Sequence, residues 1–245
     1  MIKLYRKSEL GFALACIAAY VLVFGNLRSL GDDSPWIVLC LLAFAVLLFV
    51  FVKKNGLMEK YGLDGWAKEP GKLLWFIPLW ILSTGNLWGG ILPKYTGLGL
   101  VCAVVMFALV GFVEELIFRG FLFKAMLRGG KAVTAIVVSS VTFGMGHIVN
   151  LLSGHGGPET LLQMVFAIAM GFIFTMVYYK SGSLLPGILA HSLIDVFSVF
   201  SKRSELGDWI FVALVLATAV AYGLWLRRVE TPAVNRVGQR ATGGE

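Results

Sequence analysis

Six ionisable side chains stand where the surrounding residues are apolar. They are Glu114, Glu115 and Arg119 in GFVEELIFRG, His147 in FGMGH, and His191 and Asp195 in HSLID. Their types suit the activation of water. A carboxylate in a low-dielectric pocket can be tuned toward the range of a general base. Imidazoles can position the water or stabilise a developing oxyanion. A nearby cation keeps at least one of two adjacent carboxylates ionised. The same groups could instead hold zinc through His147, His191 and Asp195, with Glu114 as base and one position open for water. The soluble zinc-protease pattern HExxH is absent, and a glutamate acting as base could not easily ligate the metal as well. Metal-free water activation is therefore the favoured expectation, with zinc as its alternative. A serine nucleophile, Ser181 or Ser183 with His191, has no Gly-x-Ser-Gly context behind it.

Spacing adds to residue type. Glu115 and Arg119 are at i, i+4, the favoured order for a helical ion pair. Adjacent helical residues point about 100° apart, so a Glu115 held by Arg119 leaves Glu114 aimed elsewhere. His191 and Asp195 are also four apart and can share a face. Each group alone has a plainer reading: a structural bridge for Glu115 and Arg119, hydrogen-bonded packing for His147 or His191. Together they are harder to explain by packing, because each charge at bilayer depth costs about 2.5–3.5 kcal/mol on insertion scales. The third histidine, His155, falls in a Gly-rich loop and is expected to be solvated.

The elements that must position these residues are set by composition. The chain has 245 residues, 58% hydrophobic and 14% charged. Soluble domains are nearer a quarter charged, so the expected solvent is lipid. Cys16, Cys40 and Cys102 lie in apolar runs with neither a disulfide framework nor metal spacing. A crossing helix needs about 20 apolar residues. Eight runs approach that: 10–25, 36–52, 73–90, 98–116 and beyond, 132–151, 161–179, 184–200 and 209–226. The third is weakened by Ser83, Thr84, Gly85 and Asn86. The first follows Lys3, Arg6 and Lys7 but lacks a cleavage pattern, and is expected to be an uncleaved helix. Residues 1–228 form one expected membrane domain, with the motifs inside 98–200, and 229–245 a short, polar, disordered tail.

Loop charges predict the orientation. With eight spans and the N-terminus inside, sixteen of the 21 Lys and Arg collect on the inner side and four on the outer, Arg119 being within the membrane. Both termini are expected in the cytoplasm. The formal charge of +7 then reflects topology and attraction to anionic lipid, not nucleic-acid binding. For straight helices rising about 1.5 Å per residue, Glu114, His147, His191 and Asp195 come to about 16–24 Å from the inner ends of the fourth, fifth and seventh helices. Gly144 and Gly146 would let the His147 helix approach its neighbours closely.

In this order, EELIFRG, FGMGH and HSLID resemble the three motifs of the CPBP family. That family comprises type II CAAX prenyl proteases, bacteriocin-processing enzymes and Abi immunity-type proteins. The resemblance implies an all-α polytopic membrane protein of about eight helices, with a catalytic cavity formed by helices 4, 5 and 7. It implies a glutamate-dependent intramembrane endopeptidase, often labelled a metalloprotease. Glu114 would activate water, aided by His147. His191 and the residue at 195 would support the oxyanion, while Glu115, Arg119 and Phe143 would shape the site. Members resembling the eukaryotic enzyme carry asparagine where this chain has Asp195. An ionised aspartate cannot donate to an oxyanion, so Asp195 would be protonated or would orient His191 instead. The implied partners are membrane lipid and a peptide or protein substrate, with a prenylated C-terminus or a leader peptide as candidates. Two other classes stay open: a catalytically silent immunity or scaffold protein, and a proton-coupled transporter. The transporter would more often show internal duplication with broken helices, and none is visible.

Overall fold

The computed structural model describes residues 1–67, 76–148, 157–202, 204–232 and 235. Outside these lie His155 and its loop, Lys68, Lys72, the start of the third apolar run, the end of the fifth, and most of the expected tail. The described chain is helical. In order come α1 (Ile2–Lys7), α2 (Glu9–Leu27), α3 (Pro35–Lys54), α4 (Ile77–Ser83), α5 (Gly97–Glu114), α6 (Lys124–Leu127), α7 (Ala132–Met145), α8 (Gly157–Ser181), α9 (Leu185–Ser198) and α10 (Glu205–Trp225). A π-helical stretch, Glu115–Phe123, joins α5 to α6 without a break. The protein is therefore an all-α polytopic membrane protein. Among the described residues five helices are long and apolar enough to cross a membrane: Glu9–Leu27, Pro35–Lys54, Gly97–Leu127, Thr160–Ser181 and Leu206–Arg228. Two shorter apolar helices, Ala132–Ile148 and Leu185–Ser198, carry the histidines.

The third apolar run departs most from expectation. Its described part is a seven-residue helix, α4, followed by a 3-10 turn at Gly85–Leu87. The reason is local. Pro78 can begin a helix but not lie within one, and Ser83 to Asn86 favour turns over helix interior. Asn86 then serves a neighbour, its Nδ2 donating to the carbonyl of Ile194 in α9 at 2.7 Å.

Burial separates inner from outer helices. The windows of Gly97–Leu127 and Thr160–Ser181 are 50% and 56% buried, against 22% for the first and last spans. The outer helices present Leu22, Trp36, Leu206 and Val220 on the surface, as lipid-facing residues should be. Close helix approach uses small residues. A Cβ on Gly111 would lie 2.7 Å from the backbone nitrogen of Ser192, so α5 and α9 touch there. The Ser192 hydroxyl adds a hydrogen bond to the Ala108 carbonyl at 3.0 Å. Gly144 plays the same part between α7 and α8, where a Cβ would meet the Ile168 nitrogen at 2.8 Å. Gly146 does not: nothing lies within 4 Å of its would-be Cβ, because it has left the helix for the 3-10 turn Gly146–Ile148.

One end of the bundle gathers both terminal segments. Lys60 donates to the Tyr5 hydroxyl and to Glu9, each at 2.6 Å, and Arg128 pairs with Glu9. Gly62, at φ +63, brings its loop against the α8–α9 turn, where its carbonyl accepts from the Leu184 nitrogen at 2.9 Å. A side chain there would collide with the Gly182 carbonyl. Of the segment expected as a loose tail, the described residues are held. Val229 and Thr231 accept from Lys180. Buried Asn235 accepts from Lys124 and donates to the carbonyls of Tyr178 and Tyr179 at 2.9 Å. A carboxamide offers both donors and an acceptor, and so can satisfy a lysine and two carbonyls at once.

Candidate active site

Glu114 is the last residue of α5 and Glu115 the first of the π stretch. The wider turn of a π segment often marks functional sites. It was not visible in the sequence, and it breaks the straight-helix assumption for this span. Packing supports it: the Ser139 hydroxyl of α7 donates to the Phe118 carbonyl within the stretch at 3.0 Å.

Arg119 donates from Nη1 to Glu115 Oε1 at 2.8 Å, and both side chains are essentially fully buried. The guanidinium lies 4.1 Å from the Phe143 ring centroid and 5.4 Å from that of Phe174. Such cation–π placement offsets part of the burial cost that the carboxylate does not. Arg119 Nε and Nη2 find no hydrogen-bond acceptor among the described residues. Gly171 leaves room for this group, since a Cβ there would sit 3.1 Å from Nη2.

His191, buried on α9, faces three carboxyl groups. Its Nδ1 is 2.9 Å from Glu115 Oε1. Its Nε2 is 3.4 Å from Asp195 Oδ2 and 3.7 Å from Glu114 Oε2. An ionised Glu115 only accepts, so the ring donates to it from Nδ1 and turns Nε2 to the other two. Gly187, one turn before His191, keeps the α9 backbone near Glu115: a Cβ there would lie 3.2 Å from Oε2. The Phe174 ring stacks on His191 at 5.3 Å between centroids.

The remaining predicted residues fall around this cluster. Phe143 meets the edges of both imidazoles, at 6.0 Å for His147 and 5.6 Å for His191. His147 stands half-buried on the turn that ends α7. Helices 4, 5 and 7 of the sequence reading thus supply the cluster, as α5 with its π extension, α7 and α9. A fourth contributor was missed. Tyr20 of α2 donates to Glu114 Oε1 at 2.7 Å. The available signal was a hydroxyl in mid-helix on an apolar run, since a buried tyrosine O–H needs a partner.

Among the described residues no three His, Cys, Asp or Glu side chains are grouped so as to hold a metal. Of the zinc alternative's candidate ligands, His191 has Nδ1 facing Glu115 and Nε2 facing Asp195. The serines are turned to backbone: Ser181 donates to the Ser183 carbonyl at 3.1 Å and Ser183 to the Gly65 carbonyl at 2.8 Å.

Residues 96–197 match the family described as type II CAAX prenyl endopeptidase Rce1-like. A curated relative, the protein of Bacillus subtilis (strain 168) named "Putative membrane peptidase YdiL", is 25% identical over 124 residues. The match covers 50% of this chain and 46% of that protein, so the chain spans about half the length of the relative. No solved structure matches.

Proposed function

We propose that this chain, whose residues 96–197 match the Rce1-like type II CAAX prenyl endopeptidases, is a membrane-embedded peptidase of the CPBP kind that hydrolyses a peptide bond with water activated by Glu114. The observation that carries this reading is the clustering of Glu114, Glu115, Arg119, His191 and Asp195 at one place inside an apolar bundle. Charges at such depth are costly unless paired or used. Arg119 and His191 both take Oε1 of Glu115, which supports reading Glu115 as the anchor and Glu114 as the working carboxylate.

Glu114 takes a proton from water as the hydroxide oxygen bonds to the scissile carbonyl carbon. The carbon–nitrogen bond then breaks, and the proton is returned to the leaving amine. His147, at the edge of Phe143, helps to position the water, and His191 donates from Nε2 to the developing oxyanion. Asp195, 3.4 Å from that nitrogen, holds and orients its N–H until the oxyanion forms, because an ionised aspartate cannot itself donate to an oxyanion. In this reading the water is activated without a metal, and zinc on His147, His191 and Asp195 is the alternative that the test separates. The proposed substrate is a peptide or protein within reach of the membrane, with a prenylated C-terminus or a leader peptide as candidates. Both termini are read as cytoplasmic, which the excess of Lys and Arg on that side supports.

The test is proteolysis by the purified protein in lipid nanodiscs. The panel holds farnesylated C-terminal peptides, their unmodified counterparts and leader-type peptides, each with and without chelator and added zinc. Cleavage at one bond, indifferent to chelation, is expected. No cleavage of any peptide would sink the peptidase reading. Loss on chelation with restoration by zinc would sink its metal-free form.

A further inference from the structure

Glu114 is held by a residue that none of the three motifs contains. In α2 the side chains able to hydrogen-bond are few. Glu9 starts the helix, Asn26 near its end donates to the Leu22 carbonyl of its own helix at 2.5 Å, and Tyr20 lies between. The Tyr20 ring is fixed by neighbours. Phe24 lies 5.3 Å away between centroids and Phe44 of α3 lies 6.3 Å away. Only 9% of the residue is exposed. A ring locked in this way delivers its hydroxyl to one point, and that point is Glu114 Oε1 at 2.7 Å.

We propose that Tyr20 is a positioning residue: its hydroxyl holds Glu114 by Oε1 and so aims Oε2 at the water beside His191. The two carboxylate oxygens have different surroundings, Tyr20 for one and His191 Nε2, at 3.7 Å, for the other. A carboxylate on a flexible glutamate stem has several rotamers. A donor from a separate helix selects one, at a distance typical of a strong hydrogen bond to an ionised acceptor. The consequence reaches beyond one residue. α2, the first long helix, becomes part of the catalytic unit, although the matched family region begins only at residue 96. Simple burial explains the tyrosine less well. A phenylalanine would fill the same space between Phe24 and Phe44 without bringing a hydroxyl to depth.

The inference rests on Glu114 as the base, and the experiment separates the two. Wild type, Tyr20→Phe and Glu114→Gln are purified in nanodiscs and given a farnesylated reporter peptide. Tyr20→Phe is expected to lower kcat on the order of 10- to 100-fold, the scale of a hydrogen bond to a charged group. KM and the melting temperature are expected to stay near wild type. A kcat within twofold of wild type overturns the proposal. So does a fall in kcat matched by a like rise in KM or by a lower folded fraction, which marks packing alone. The second readout needs no substrate. The infrared difference between wild type and Glu114→Gln isolates the Glu114 carboxyl band, and Tyr20→Phe is expected to shift it. An unshifted band overturns the proposal even if no peptide is cut. Full activity in Glu114→Gln would instead remove the base assignment itself.

Discussion

Arg119 joins the cost of burial to the working of the site. It is fully buried and bonded to the same oxygen of Glu115 that faces His191. Arg119→Ala leaves that carboxylate without its cation, and breaking a buried pair typically costs about 3–5 kcal/mol. A marked fall in melting temperature in detergent, with reduced yield, is the expected result; an unchanged melting temperature would contradict it. Arg119→Lys should not restore stability, because the flat guanidinium lies between the rings of Phe143 and Phe174 and an ammonium cannot stack in that way. This pair was legible in the sequence, since i, i+4 spacing is a local property. So was the approach of His191 to Asp195. The bond from Tyr20 to Glu114 was not legible, because 94 residues separate the two and no local rule links their helices.

Helix contacts turn these residues into a site. The α5–α9 contact at Gly111, with the approach at Gly187, keeps His191 near Glu115. A Cβ at 111 would lie 2.7 Å from a backbone nitrogen and 2.9 Å from the Cα of Ser192. Backbone cannot give way as a side-chain tip can. Gly111→Ala is therefore expected to push the helices apart, at about 1–3 kcal/mol for overpacking. Peptide cleavage should fall more than stability, as His191 moves from its carboxylates. Equal cleavage and melting temperature in Gly111→Ala and wild type would contradict this. The apolar runs were readable because length and hydropathy carry that signal. The π stretch was not, since Ser139 bonds into it from another helix. Gly144 and Gly146 looked equivalent in sequence, but only the first lies at a crossing.

Across the whole molecule, the contacts of Tyr5, Glu9, Lys60, Arg128, Lys180 and Val229 place both terminal segments at one end. The loop-charge rule, by which Lys and Arg favour the cytoplasmic side, predicts which side that is. Reporter fusions after Arg228 and at Gly90 are expected on opposite faces, the first cytoplasmic. Finding both on one face would contradict the topology. Among the described residues, the five long apolar helices were legible as runs in the sequence. The shortness of α4 was not fully so, because its end depends on Asn86 bonding to α9 as well as on turn-forming residues.

The measurement that bears most directly on the account compares Glu114→Gln with Glu115→Gln at equal folded concentration, using one peptide that the wild type cleaves. Removing a general base typically costs 10²–10⁴-fold. Glu114→Gln is expected to lose at least that much rate at an unchanged melting temperature. Glu115→Gln should instead lower the melting temperature, because Arg119 and His191 both lean on Glu115. Wild-type turnover by Glu114→Gln would contradict the central claim.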